Sequence, residues 1–326
     1  GNPGPVHINI PLEEPLHDLL DEDLPSVKII ETSETQSILP EKELEKLAAV
    51  FNQAEKVLIL AGQQNPNPQI EKLLAEFEKK TGAVVLKEQL ANLNHSSFFG
   101  SVDLLTTSLL SENITDFQPD LLISFGGQFV SKPLKQFLRK NRPENHWHIN
   151  IENEHTDTYQ SLTKIISTKP ETFFRQLLPL VKSKGKNFFS RWKEKEKQVN
   201  RLRDEFISTV DFCDLSVFSQ IQKHIPENSV LHLGNSSPVR YALICEPAKN
   251  VEYFSNRGVS GIDGPMSTAV GFASESEKIN TLVLGDLSFF YDSNALWNKY
   301  VGKNLRIIAN HNGGGNILSM IKGQGE

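Results

Sequence analysis

The sequence predicts an α/β protein with two doubly wound parallel-sheet domains, the second truncated at its carboxyl end. Three observations carry that expectation. Short, uninterrupted apolar runs such as Val57-Leu58-Ile59-Leu60-Ala61 and Ala83-Val84-Val85-Leu86 alternate with segments of helical period. A strand apolar at every position is buried on both faces, as in a parallel sheet covered by helices. The alternation occurs twice, either side of a long charged segment, and 326 residues suffice for two cores. Finally, four successive strands of the second set end in loops rich in Gly, Asn, Ser, Arg or Asp, where open α/β sheets bind ligands.

In order along the chain, Val6-His7-Ile8-Asn9-Ile10 reads as a strand or extended linker, and residues 13–40 as an acidic linker or surface wrap. The stretch "EKELEKLAAVFNQA" predicts a helix before strand 57–61. "PQIEKLLAEFEKKTG" places Ile70, Leu73, Leu74 and Phe77 on one helical face and stops at Gly82, a C-cap. Strands follow at 83–86, 121–125 and 147–151, with a helix from Pro133 to Lys140. The charged run "KNFFSRWKEKEKQVNRLRDEFIST" predicts a bridging helix with a solvated face. The second set begins at Asp214 with Leu215, Phe218 and Ile221 at helical spacing. Its strands are expected at 230–233, 251–254, 282–284 and 305–309, with a helix of small residues after "SNRGVSGIDGP". The chain begins and ends inside a pattern, which reads as part of something longer.

Composition excludes several classes of function. A net charge of −6 leaves no basic excess for nucleic acid. No apolar run approaches the roughly 20 residues that span a bilayer, and no signal peptide opens the chain. The two cysteines, Cys213 and Cys245, are too few for a disulfide framework or a Cys-rich metal site, so a cytoplasmic protein is expected.

The chemistry concentrates at two strand ends, Gly285-Asp286-Leu287-Ser288 and Asn310-His311-Asn312-Gly313-Gly314. An acid directly after a buried strand suits a hard divalent cation, and the Asn312 side chain with the Gly314 carbonyl would complete an oxygen set. Glycines allow the backbone to approach a phosphate, and a helix after "GDLS" would direct its positive end there. Each motif alone equally describes an N-cap and a glycine loop. Taken together they resemble the diphosphate and metal motif of thiamine-diphosphate enzymes. The segments "GPVHINIPLEEPL", "GNSSPVR", "SNRGVSGIDGPMSTAVG", "GDLSFFYDSNAL" and "NGGGNILSM" further resemble, in order, the family of menaquinone-pathway synthases that make 2-succinyl-5-enolpyruvyl-6-hydroxy-3-cyclohexene-1-carboxylate. Residues 20–220 resemble that family mainly in layout.

The resemblance implies a pyrimidine-binding, a central and a diphosphate-binding domain. Residues 1–19 would be the exit from the first, 20–185 the central domain, 186–210 a linker helix and 211–326 most of the third. It implies thiamine diphosphate with Mg²⁺ or Mn²⁺, decarboxylation of 2-oxoglutarate, transfer of the succinyl group to isochorismate, and a homodimer or homotetramer. Asp286, Asn312 and Gly314 match the metal positions, with Gly285 and Ser288 near the diphosphate. Ile262 matches the residue that wedges the cofactor into its bent form, with Gly261 against its pyrimidine. Ser236, Arg240 and Arg257 match substrate-contacting positions, arginines being suited to carboxylates. Ile317 and Leu318 match apolar pocket residues, Ile317 also beside the cofactor. His95 falls about where the family places a carboxylate-binding lysine. A different alignment would set His311 on the metal instead of Asn312. The cofactor-activating glutamate is expected outside this chain, which by itself should be inactive. Two alternatives stay open at this point: another thiamine-diphosphate decarboxylase or carboligase of acetolactate-synthase type, and a non-catalytic α/β nucleotide-binding or structural module. The latter lacks a Gly-x-Gly-x-x-Gly or Gly-Lys-Ser/Thr loop.

Overall fold

The computed structural model of the chain describes residues 38–110, 114–152 and 156–314, with Asn9 and Pro11. The readings at residues 6–10 (Asn9 apart) and 13–37, and of Ile317 and Leu318, lie outside the described residues. The first domain runs α1 (Glu41–Gln53), β1 (Val57–Ala61), α2 (Pro68–Thr81), β2 (Val84–Lys87), α3 (Val102–Leu109), β3 (Leu121–Phe125), α4 (Lys132–Lys140), β4 (Asn145–Ile149), β5 (Lys164–Ile166) and α5 (Pro170–Leu177). Its five strands are all parallel in the order β2-β1-β3-β4-β5.

Helix α2 shows why the local pattern is decisive. The Asn67 side chain accepts hydrogen bonds from the Gln69 and Ile70 amides, Pro68 occupies the first turn, and Gly82 ends the helix at φ 66°. Its buried face sets Phe77 edge-on to Phe51 (5.1 Å) and to Phe174 of α5 (5.2 Å), in the core on one side of the sheet. Beyond the carboxyl ends of β1 and β3 the connecting loops touch. A Cβ on Gly62 would lie 2.1 Å from the Gly127 carbonyl oxygen, so only glycine permits this approach.

The bridging helix is α6 (Asn187–Thr209). Its charged run is not wholly a solvated face, because Lys195 and Glu196 are buried with Trp192. The reason is packing: Trp192 fills the other side of the first sheet, against Phe99, Phe117, Phe137 and Phe188. The second domain follows with α7 (Asp214–His224), β6 (Val230–Leu233), α8 (Ser237–Ile244), β7 (Glu252–Phe254), α9 (Pro265–Ser274), β8 (Asn280–Gly285), α10 (Asp286–Tyr291) and β9 (Leu305–Asn310). Its four strands are parallel in the order β7-β6-β8-β9. The strand expected at 147–151 lies two residues earlier as β4. Helix α10 begins at Asp286 itself, one turn sooner than a helix after "GDLS". Helices α3, α5 and α8 and strand β5 were not expected, although α3 buries Val102, Leu105, Thr106 and Leu109 at helical spacing and α5 and α8 carry a proline in their first turn.

Candidate functional site

All four loops at the carboxyl ends of β6, β7, β8 and β9 open on one cavity of about 570 Å³. Ser236, Arg240, Arg257, Ile262, Gly285, Asp286, Ser288 and Asn312 line it together, as does Asn310. Parallel strands of matched register bring these chain segments to one rim, which is why residues so far apart in sequence converge. A second groove of about 620 Å³ lies at the amino end of β1, between Gln53 and Arg191. Three of its cations are already engaged: Lys184 donates to the Phe51 and Ala54 carbonyls, Lys56 pairs with Asp120 and Arg191 with Asp116.

Asp286 is the buried anion of the cavity. Its Oδ1 accepts from the Leu287 amide (2.8 Å), and its Oδ2 accepts from His311 Nδ1 (2.8 Å) and the Gly314 amide (3.1 Å). Desolvation pushes its carboxyl up, but these bonds, His311 foremost, outweigh it and hold the group below the usual carboxylate range. Asn312 lines the cavity and donates to Asp214 Oδ2 (2.9 Å). The Ser288 hydroxyl donates to the Ile262 carbonyl, tying the β8 loop to the loop after β7. Gly261 lies behind Ile262, its carbonyl accepting from Asn235 Nδ2 (2.6 Å). Ser236 sits at φ 72°, a conformation costing a non-glycine residue about 1–3 kcal/mol, and such strain concentrates at functional sites.

The other wall is cationic and comes partly from the central domain. Lys132 and Lys135 of α4 line the cavity opposite Arg240 and Arg257. Arg257 is pushed below the usual guanidinium range by burial, with Glu88 opposing and Arg240 reinforcing. Glu88, at the end of β2, accepts from the Val130 (2.7 Å) and Ser131 (2.8 Å) amides, anchoring the turn into α4. Burial raises its carboxyl to about 7 despite those two donors.

His95 is exposed in the loop after β2, bonds Ser97 Oγ (2.8 Å), packs on Phe98 and is not among the residues that line the cavity. The short loop turns its ring to solvent, and the cavity takes its lysines from α4 instead. Sequence reasoning missed Lys132, Lys135, Glu88 and Asn235. Asn235 was within reach, directly after a strand in "GNSS". The lysines carry no local signal, because only the packing of the two domains brings α4 to this rim.

Residues 15–233 match the family described as "Middle domain of thiamine pyrophosphate", well over half of the chain. The chain belongs to this thiamine pyrophosphate family. It is also 40% identical over 324 residues to the 2-succinyl-5-enolpyruvyl-6-hydroxy-3-cyclohexene-1-carboxylate synthase of Flavobacterium psychrophilum, covering 99% of this chain and 58% of that protein. The synthase of the same name from Flavobacterium johnsoniae is 40% identical over 325 residues, with the same two coverages. That of Bacteroides thetaiotaomicron is 36% identical over 327 residues, covering 98% of this chain and 56% of the relative. The chain thus spans little more than half the length of the curated relatives it matches.

The family's cofactor, thiamine diphosphate (pyrophosphate), fits the cavity on the chemistry of its lining. Asp286 supplies an ionised carboxylate, and Asn312 and the glycine loop supply neutral oxygens, the donor types Mg²⁺ takes. A Cβ on Gly285, Gly313 or Gly314 would meet nothing within 4 Å, so the backbone leaves space for a phosphate there. Gly313 (φ 88°) and Gly314 (φ 100°) also hold conformations that side chains disfavour. The Gly314 amide, rather than its carbonyl, faces Asp286 in this arrangement.

Proposed function

We propose that the chain forms the central and diphosphate-binding parts of a 2-succinyl-5-enolpyruvyl-6-hydroxy-3-cyclohexene-1-carboxylate synthase. The reaction is decarboxylation of 2-oxoglutarate and transfer of its succinyl group to isochorismate, in menaquinone biosynthesis. One observation carries the reading: Arg240, Arg257, Lys132 and Lys135 share a single cavity with Asp286 and its oxygen-donor neighbours. Both substrates are carboxylates, and four cations exceed what a cofactor diphosphate beside a divalent metal requires. The relatives' shared name supports the same conclusion.

Thiamine diphosphate supplies the electron sink when bound. Asp286, Asn312 and Gly314 would hold its Mg²⁺ or Mn²⁺, Gly285 and Ser288 its diphosphate, and Gly261 and Ile262 its bent middle. Arg240, Arg257, Lys132 and Lys135 orient the carboxylates and offset their charge, while Ser236 donates a hydroxyl at the same rim. Ile317 and Leu318 are assigned to the apolar side of the pocket. The domain limits are placed at 19, 185 and 210. A glutamate in the part of the relatives that this chain does not cover would activate the cofactor, and without it the chain would be inactive. The large exposed apolar side chains Leu287, Phe290, Tyr291, Trp297, Tyr300 and Val301 support self-association as a homodimer or homotetramer. The free thiols Cys213 and Cys245 suit a cytoplasmic setting.

The test offers the full-length protein isochorismate, 2-oxoglutarate, thiamine diphosphate and Mg²⁺, and seeks the ligated product by mass spectrometry. Product formation that depends on all four is expected. Turnover of 2-oxoglutarate without ligation, or no turnover at all, would sink the assignment.

A further inference from the structure

Strand β7 is an edge of the second sheet, and side-chain carboxamides meet its outer backbone where another strand would otherwise pair. Asn92, held at φ 51°, donates from Nδ2 to the Tyr253 carbonyl (3.0 Å) and accepts at Oδ1 from the Tyr253 amide (2.7 Å). One side chain thereby supplies both hydrogen bonds that a neighbouring strand would make to that residue. The pattern continues along the segment that leaves the strand. Gln63 Nε2 donates to the Ser255 carbonyl (2.9 Å), Asn235 Nδ2 to the Asn256 carbonyl (2.7 Å) and Gln128 Nε2 to the Gly258 carbonyl (3.1 Å).

Gln63, Asn92 and Gln128 belong to loops at the carboxyl ends of the central sheet, whereas Asn235 belongs to the second domain. Arg257 stands in the middle of the row. Its Nη1 donates to Asn235 Oδ1, and its buried Nε has no hydrogen-bond partner within the described structure. A buried guanidinium N–H without an acceptor is costly unless a ligand supplies one, and a carboxylate matches the fork.

We propose that these four carboxamides are positioning residues for Arg257, and that this clamp is how the central domain serves the carboxylate site. The inference rests on the reading of the cavity given above. Carboxamides suit the task because each can donate to a carbonyl without adding charge. A lysine or arginine in the same place would change the field in the cavity, and a carboxylate would repel the carbonyls. The Tyr253–Gly258 segment runs beyond the sheet, so without these donors its carbonyls have no ladder to fix them.

Two variants of the full-length protein separate the effects. Gln63→Met keeps length and removes the donor. Asn235→Asp keeps an acceptor for Arg257 but removes both donors, to Asn256 and Gly261. In each, KM for a carboxylate substrate should rise about tenfold or more, while kcat stays within about twofold. Thiamine diphosphate affinity should hold in Gln63→Met, and hydrogen exchange over residues 253–258 should quicken in both. Gln128→Met, at an exposed position, replaces Gln63→Met if that variant fails to fold, with an expected KM rise of about threefold. Quickened exchange with unchanged KM would reduce the clamp to a structural role and overturn the proposal, as would unchanged exchange. If the wild-type protein shows no synthase turnover, the functional reading fails. Calorimetric affinity for 2-oxoglutarate then replaces KM, and equal affinity in wild type and variants would overturn the clamp independently.

Discussion

At the scale of single residues, the cavity is organised by how each charge is held. Asp286 stays ionised because His311 and two backbone amides compensate its desolvation, so its negative charge is available to a divalent cation. Asp286→Ala in the full-length protein should weaken Mg²⁺-dependent thiamine diphosphate binding by about 100-fold or more, read by calorimetry. Unaltered binding would remove Asp286 from the metal site. A second residue predicts a pH effect. His146, buried on β4 with Ser124 Oγ 2.8 Å from its Nε2, is driven down to about 4 by burial, with His148 adding to the shift. Its folded value lies below the ordinary 6.5, so below that pH the unfolded chain binds the proton first. The stabilisation is complete above pH 6.5 and is lost as pH falls toward 4, in total on the order of 3 kcal/mol. Denaturant unfolding at pH 7 and pH 4.5 should therefore show a smaller difference in His146→Gln than in wild type. Equal slopes in the two proteins would refute the assignment.

At the scale of elements, α6 is anchored on the first domain by one fully buried side chain. Trp192 is ringed by four phenylalanines, yet its indole N–H has no partner within the described structure. Trp192→Ala should cost about 3–5 kcal/mol in chemical denaturation, from lost burial and the cavity left behind. Trp192→Phe should cost less than half as much, because no hydrogen bond is given up with the indole. A comparable loss in both would mean the N–H matters. The same helix explains one misreading. Its charge run reads as solvated, but the period of 3.6 carries Lys195 and Glu196 round onto the buried face with Trp192 and Val199.

At the scale of the whole molecule, exposed apolar surface gathers in the connection from α10 to β9. Trp297 is 84% exposed and Phe290 and Tyr291 are each 70% exposed, close together in the chain, whereas the exposed Phe206 and Phe212 lie apart from them at the end of α6 and just beyond it. This face borders the cavity through Asp286 and Leu287, so a partner seated on it would close the site. Trp297→Asp in the full-length protein should lower the assembled fraction in sedimentation velocity at micromolar concentration. Assembly indistinguishable from wild type would place the interface on another face.

Most strands were legible because burial on two faces favours apolar runs such as Val57–Ala61, which surface segments lack. Most site residues were legible for a related reason: Asp286, Asn312, Ser236 and Arg257 all lie within a few positions of a strand's carboxyl end. Short elements such as α3 and β5 were not, since about two turns of helix or a three-residue strand give a periodic pattern too little length to stand out. Lys132, Lys135, Glu88 and the carboxamides Gln63, Asn92 and Gln128 were hidden more deeply. They belong to the first domain and lie at the rim of the second sheet. The amino-acid sequence by itself determined the two sheets, their order of elements and the half of the cavity built on β6 to β9. Only the tertiary structure decided which central-domain side chains complete it, because contacts between domains leave no periodic trace along the chain.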